Sequence, residues 1–266
     1  MNRFLFLLIL LVSSSFSWAQ TGLSVSPPRL YFESSNGQSN TQKVVVTNVS
    51  TENTLDLSIS LGDWEYDIKG ENIMVEAETL NTSCASWITL KKEETYFSLK
   101  PGEKKEIEVT LTSPSIKNDT LSVHTAMLYV SQMNPIDDTD HKGTNIKVSV
   151  RSGIKVFHKF LGQSVRKLEI HNVAFQKEKK NILLSFENAG NIWTDGKIFI
   201  DLLNTQTGEK TTLPTNVFYT MPGNKREIEF QLPTDLKTNS KYLATILIDY
   251  GDENNIEMAE LKFTYE

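Results

Sequence analysis

The chain has 266 residues, with 27 lysines and arginines against 33 aspartates and glutamates, a formal net charge of −6 and one cysteine. An acidic balance offers no field for binding nucleic acid. A single cysteine excludes a disulfide framework and any metal site built on several thiolates, so its domains must rest on their hydrophobic cores.

The N-terminus reads Met1-Asn2-Arg3, then an apolar run from Phe4 to Val12, then Ser17-Trp18-Ala19. A basic start, a short apolar stretch and small residues flanking Trp18 predict a secretory signal peptide over residues 1–19. The apolar run is too short to span a bilayer, and no cysteine follows it to carry a lipid. The chain left after this cut is long enough for two domains. Cys84 reads as a small buried side chain.

Beyond the leader, the chain reads as strands. Val44-Val45-Val46, Leu55-x-Leu57-x-Ile59-x-Leu61, Ile107-x-Val109-x-Leu111 and Met127-Leu-Tyr129-Val130 are β-branched or alternate with period two. The second half repeats the pattern at Leu168-x-Ile170, Ile182 to Phe186, Ile198 to Leu202, Ile228 to Leu232, Tyr242 to Ile248 and Met258 to Tyr265. Turn signals fall between them: Asn36-Gly37, Lys69-Gly70, Lys100-Pro-Gly102, Thr207-Gly208, Met221-Pro-Gly223 and Gly251-Asp252. No segment keeps a helical period. Short strands at this spacing predict two β-sandwiches, with the joint between Phe160 and Arg166.

The stretch Ile146-Lys-Val148-Ser-Val150-Arg-Ser-Gly-Ile154-Lys155-Val156-Phe157 is the most informative. Period two puts Ile146, Val148 and Val150 on one face, with Lys155 on the other if the strand runs unbroken. Gly153 marks a place for a bulge. Such a strand belongs either to the domain's own sheet or to pairing with another chain.

Catalytic chemistry finds no foothold. His124, His141, His158 and His171 are scattered singly, and His124 and His158 read as structural histidines of the first sandwich. Asp137-Asp138-Thr-Asp140-His141-Lys-Gly143 lacks the third acidic ligand before the glycine and the distal glutamate of a calcium loop, so it reads as a solvated hairpin tip. The sequons at Asn48, Asn81 and Asn118 read as chance. Neither a metal nor a cofactor is expected, and the protein is read as a non-enzyme.

Four segments carry a resemblance. Ser24-Val-Ser-Pro-Pro-Arg29-Leu-Tyr-Phe32, Leu57 to Asp63-Trp64-Glu65, Phe97-Ser-Leu99-Lys-Pro101-Gly102-Glu103 and Ile146 to Lys159 resemble, in order, segments of the N-terminal domain of the PapD-like periplasmic pilus-assembly chaperones. The likeness covers about residues 23 to 160. Asn188-Ala-Gly-Asn191 resembles a turn of the family's second domain. Phe160 stands where the family often has proline.

The resemblance implies an all-β chain of two immunoglobulin-like β-sandwich domains in a boomerang arrangement, at residues 20–160 and 161–266. It implies a periplasmic, ATP-independent chaperone for exported pilus or surface-fibre subunits. Arg29 and Lys155 would anchor a client's C-terminal carboxylate. Ile146, Val148 and Val150 would be lent to the client by donor-strand complementation. An outer-membrane assembly pore is an implied partner, as is a second copy pairing through the last strand of the first domain. The alternative is an Ig-like structural or interaction module of the envelope. A third class, a glycan-binding module, would use Trp64, Trp87 or Trp193, although tryptophans near sandwich ends are more often core plugs.

Overall fold

The computed structural model describes residues 22–115, 121–139, 143–251 and 256–266. The leader, the Asn118 sequon and Asp140 to Lys142 lie outside the described residues.

Among the described residues, twelve strands make up the first half. They are β1 (Leu23–Ser26), β2 (Arg29–Ser34), β3 (Ser39–Asn48), β4 (Leu55–Tyr66), β5 (Asn72–Glu76) and β6 (Ile88–Thr89), followed by β7 (Tyr96–Leu99), β8 (Lys104–Thr112), β9 (Val123–Gln132), β10 (Ile136–Thr139), β11 (Asn145–Val148) and β12 (Arg151–Phe160). One sheet runs β1-β3-β8-β6, and a second runs β2-β12-β9-β4-β5 with β7 also on β4. The alternation seen in the sequence is what joins them. Val44 and Val46 of β3 and Ile107, Val109 and Leu111 of β8 face Leu55, Leu57, Leu128, Ile154 and Val156 of the other sheet in one buried core. Cys84 lies in that core as a free thiol. Burial pushes its pKa far up, which keeps it an inert thiol.

The chain changes sheets between β1 and β2. Pro27 and Pro28 stand at that crossing, where a residue without an N–H costs no ladder bond. This places β2 beside β12 in parallel register, with Arg29 opposite Lys155 and Ser34 opposite Phe160.

Among the described residues, eight strands form the second half: β13 (Leu168–Gln176), β14 (Asn181–Asn188), β15 (Thr194–Asn204), β16 (Lys210–Thr212), β17 (Asn216–Thr220), β18 (Lys225–Gln231), β19 (Ser240–Asp249) and β20 (Ile256–Tyr265). Sheets β13-β14-β18 and β16-β15-β19-β20, with β17 on β15, enclose a separate core that includes Phe186, Ile200, Phe218 and Ile246. Residues 161–167 join the halves without a strand. That link is strapped to the Asn188–Asn191 turn: the Gly190 N–H donates to Lys167 O, the Val165 N–H donates to Asn191 Oδ1, and Asn191 Nδ2 donates to Gln163 O.

Two expectations about the last strand of the first half need correction. The β9–β12 ladder runs without a register shift from Arg151 to Lys159, so Gly153 carries no bulge. The interruption falls earlier, at Ser149 and Val150. Ile146 and Val148 therefore lie on β11, paired with β10, while Val150 sits in the gap before β12. Gln132 makes that gap: its backbone N–H donates to Val150 O, its Oε1 accepts from Val150 N, and its carbonyl accepts from Ser149 Oγ. A side-chain amide that competes for backbone groups ends a ladder locally.

Candidate functional site: the cleft face of the first sandwich

Alternation along β2 and β12 turns Arg29, Tyr31, Lys155, Phe157 and Lys159 away from the core that buries Leu30, Phe32, Ile154 and Val156. Arg29 and Lys155, 126 positions apart in sequence, become cross-strand neighbours on that face. Among the described residues neither is in an ion pair with a carboxylate.

Lys155 has neutral partners instead. Its Nζ donates to Tyr66 Oη at 3.0 Å and to Asn72 Oδ1 at 2.5 Å, and lies 3.8 Å and 4.2 Å from the ring centroids of Trp64 and Tyr66. Burial, with the Arg29 charge added, pulls its pKa down to about 8. Burial pushes the Tyr66 phenol up to about 12, so it stays neutral beside the ammonium. Lys155 is thus no freely solvated side chain: it is half-buried on an aromatic floor. Trp64 is 1% exposed and its Nε1 donates to Ala126 O, so it is a plug of that floor and no binding platform.

Arg29 is covered from the second half. Its guanidinium carbon lies 4.5 Å from the Tyr219 ring centroid. Burial works against the Arg29 cation, but hydrogen bonding to the Tyr31 and Tyr219 side chains outweighs it and raises its pKa. Trp193 stands nearby, 5.4 Å from Tyr31 and 5.3 Å from Phe157. Trp87 packs instead against His124 at 4.5 Å and His158 at 5.3 Å. Those two histidines are buried cross-strand neighbours, and His158 Nε2 lies 2.8 Å from Ser34 Oγ.

A latch joins the halves beside this face. The Asp67–Gly70 turn between β4 and β5 receives Arg226 of β18, whose Nη1 donates to Asp67 O at 3.0 Å, and the Glu227 N–H donates to Ile68 O at 2.8 Å. Gly70 has φ +89°, and a Cβ there would lie 1.5 Å from Arg226 Nη2. The strands flanking this turn carry Tyr66 and Asn72, the two groups that hold Lys155.

The β2–β12 ladder begins at Lys155. Upstream, Arg151 to Ile154 pair with β9 on one side, and among the described residues no strand occupies the other. Beyond the gap, β11 likewise pairs only with β10. An open edge thus leads up to the two cations. Ile146 is exposed, and Val148 and Val150 are half-buried.

Sequence reasoning missed Tyr66, Asn72, Tyr219 and Arg226. The Lys69-Gly70 and Met221-Pro-Gly223 turn signals lie beside them in the chain, and a turn signal says nothing about what docks there. No protein-family model matches the chain, and no curated protein matches it. Solved structures do. A chain of the chaperone–tip adhesin complex described for CFA/I fimbriae biogenesis has a TM-score of 0.49 and 15% identity, over 92% of this chain and 98% of that one. The YadV chaperone has a TM-score of 0.48 and 12% identity, over 91% and 99%. A chain of the CsuC–CsuE chaperone–tip subunit pre-assembly complex of Acinetobacter baumannii has a TM-score of 0.48 and 13% identity, over 90% and 97%.

Proposed function

We propose that this protein is a periplasmic assembly chaperone that holds exported pilus or surface-fibre subunits by donor-strand complementation, without ATP, and that residues 20–160 and 161–266 are its two domains. One observation carries the reading: the open edge of β11 and β12 ends at Arg29 and Lys155. A guest strand parallel to β12 on that edge would run in line with β2 and finish where β2 starts. Its C-terminal carboxylate would then meet two cations that, among the described residues, are in no ion pair with a carboxylate, and charge-assisted hydrogen bonds favour that contact. Ile146, Val148 and Val150 would supply apolar cover to a guest that lacks a strand of its own. Export, delivery to an outer-membrane pore and pairing with a second copy through the same edge belong to this reading.

The rival reading, a scaffold module, draws on one observation: Lys155 already has partners in Tyr66 and Asn72. Val148→Glu separates the two. A charge carried into a guest's apolar groove is costly to desolvate, so the variant should lose client co-purification from an export-competent host. Val148 is half-buried on a short hairpin strand, so the thermal midpoint should stay within a few degrees. Retained capture, or collapse of the fold, would defeat the chaperone reading.

A further inference from the structure

We propose that Tyr219 is a lid on Arg29, and that a carboxylate reaches the anchor pair only when this ring withdraws; the inference rests on the anchor reading above. Arg29 belongs to β2 and Tyr219 to β17, so they meet only because the second sandwich closes on the first. The ring sits 4.5 Å from the guanidinium carbon. The recess that Arg29 lines with Tyr31, Tyr66, Phe157, Trp193 and Tyr219 has a volume of about 10 Å³. That is room for roughly one water molecule and not for a carboxylate.

The lid is built to move. β17 is five residues long and, among the described residues, pairs only with β15. Tyr219 is 36% exposed on it, while its neighbours Phe218 and Thr220 are buried. Its side chain can therefore swing into solvent while the strand keeps its core contacts. Trp193, packed on Tyr31 and Phe157, stays behind as the floor.

Such a lid selects among carboxylates. The face of an aromatic ring satisfies a cation moderately, enough to keep a freely diffusing acid off Arg29. A carboxylate at the end of a strand already paired to β12 arrives at high effective concentration and displaces the ring. The ligand class is thus a peptide C-terminus carried on an extended strand.

Phenylglyoxal, which modifies exposed arginines, tests this on the full chain with labelling mapped by mass spectrometry. Tyr219→Thr removes the ring but keeps a good strand former, and Tyr219→Phe keeps the ring. Arg29 should label about two- to fivefold faster in Tyr219→Thr than in the wild type, and in Tyr219→Phe, which keeps the ring and loses only the hydroxyl that bonds Arg29, at a rate between the two. Exposed Arg151 should label equally in all three. A synthetic peptide of alternating valine and serine with a free C-terminus should protect Arg29, at lower concentration in Tyr219→Thr. Its C-terminal amide, and acetate, should not. Equal Arg29 rates in the wild type and Tyr219→Thr would overturn the lid, whatever the peptides do. Faster labelling in Tyr219→Thr with equal protection by acid and amide would overturn the carboxylate anchor, and the gating role with it.

Discussion

Lys155 combines two properties rarely found in a surface lysine: it is half-buried over Trp64 and Tyr66, and its pKa is pulled down to about 8. The folded state holds its proton less tightly than the unfolded chain, where lysine titrates near 10.4. Stability is therefore depressed below pH 8 and recovers as pH rises from about 8 towards the unfolded value. Carboxylate binding has the opposite dependence, because the ammonium that would receive it discharges above pH 8. Client affinity measured from pH 7 to 9.5 should fall through that window. Lys155→Arg, which stays charged, should flatten the profile. Lys155→Ala should weaken binding about tenfold or more, since a hydrogen bond to a charged group contributes roughly 1.5–3 kcal/mol. The variant loses packing on Trp64 and also the buried charge that depresses stability below pH 8, so its thermal midpoint at pH 7 should stay within a few degrees of the parent's.

At the scale of elements, both sandwiches use the same corner. Asn48 ends β3, its backbone N–H donates to Glu103 O, and its carbonyl accepts from Gly102 N. Asn188 ends β14 and makes the matching pair with Asn224 O and Gly223 N. Each is buried, and each side chain closes the turn that follows: Asn48 Nδ2 donates to Asn53 O and Leu99 O, and Asn188 Nδ2 donates to Ile192 O. The apparent sequon at Asn48 is thus a structural amide with its Nδ2 already committed. Asn48→Ala takes the donor from the buried Leu99 carbonyl, at about 1–3 kcal/mol. Denaturant unfolding should show a loss of that size. Asp56→Ala, which loses an exposed bond to Ser98, should stay within about 0.5 kcal/mol.

At the scale of the whole molecule, the two halves are joined by an arginine inserted into a turn. Arg226 is 4% exposed and reaches Asp67 O, and Gly70 leaves the space that its guanidinium occupies. Gly70→Ala adds a methyl group into that space at a positive φ, which costs about 1 kcal/mol or more. Calorimetry should show the unfolding transition broadening or splitting in Gly70→Ala and Arg226→Ala as the sandwiches uncouple, with each core keeping its own transition. An unchanged single transition would mean that the link at residues 161–167 suffices to couple them. Because the latch turn lies between Tyr66 and Asn72, both variants should also move the Lys155 pKa towards that of a free lysine, which NMR titration would detect.

Period-two alternation and the turn glycines were enough to place most of the core strands, because burial on one face of a sheet is written into every second residue. The same local signal placed Ile146 and Val148 on a strand, and Lys155 on the face opposite them only if that strand ran unbroken; the pairing of Arg29 with Lys155 came from the resemblance. It could not place the break at Ser149 and Val150, which depends on Gln132 of another strand. Nor could it show that Lys155 rests on Trp64 or that Tyr219 and Arg226 come from the second sandwich to meet Arg29 and Gly70. Alternation records which way a side chain points relative to its own backbone. Which side chain waits opposite is decided by sheet order and by the docking of two separately cored units, and neither leaves a periodic trace in the chain.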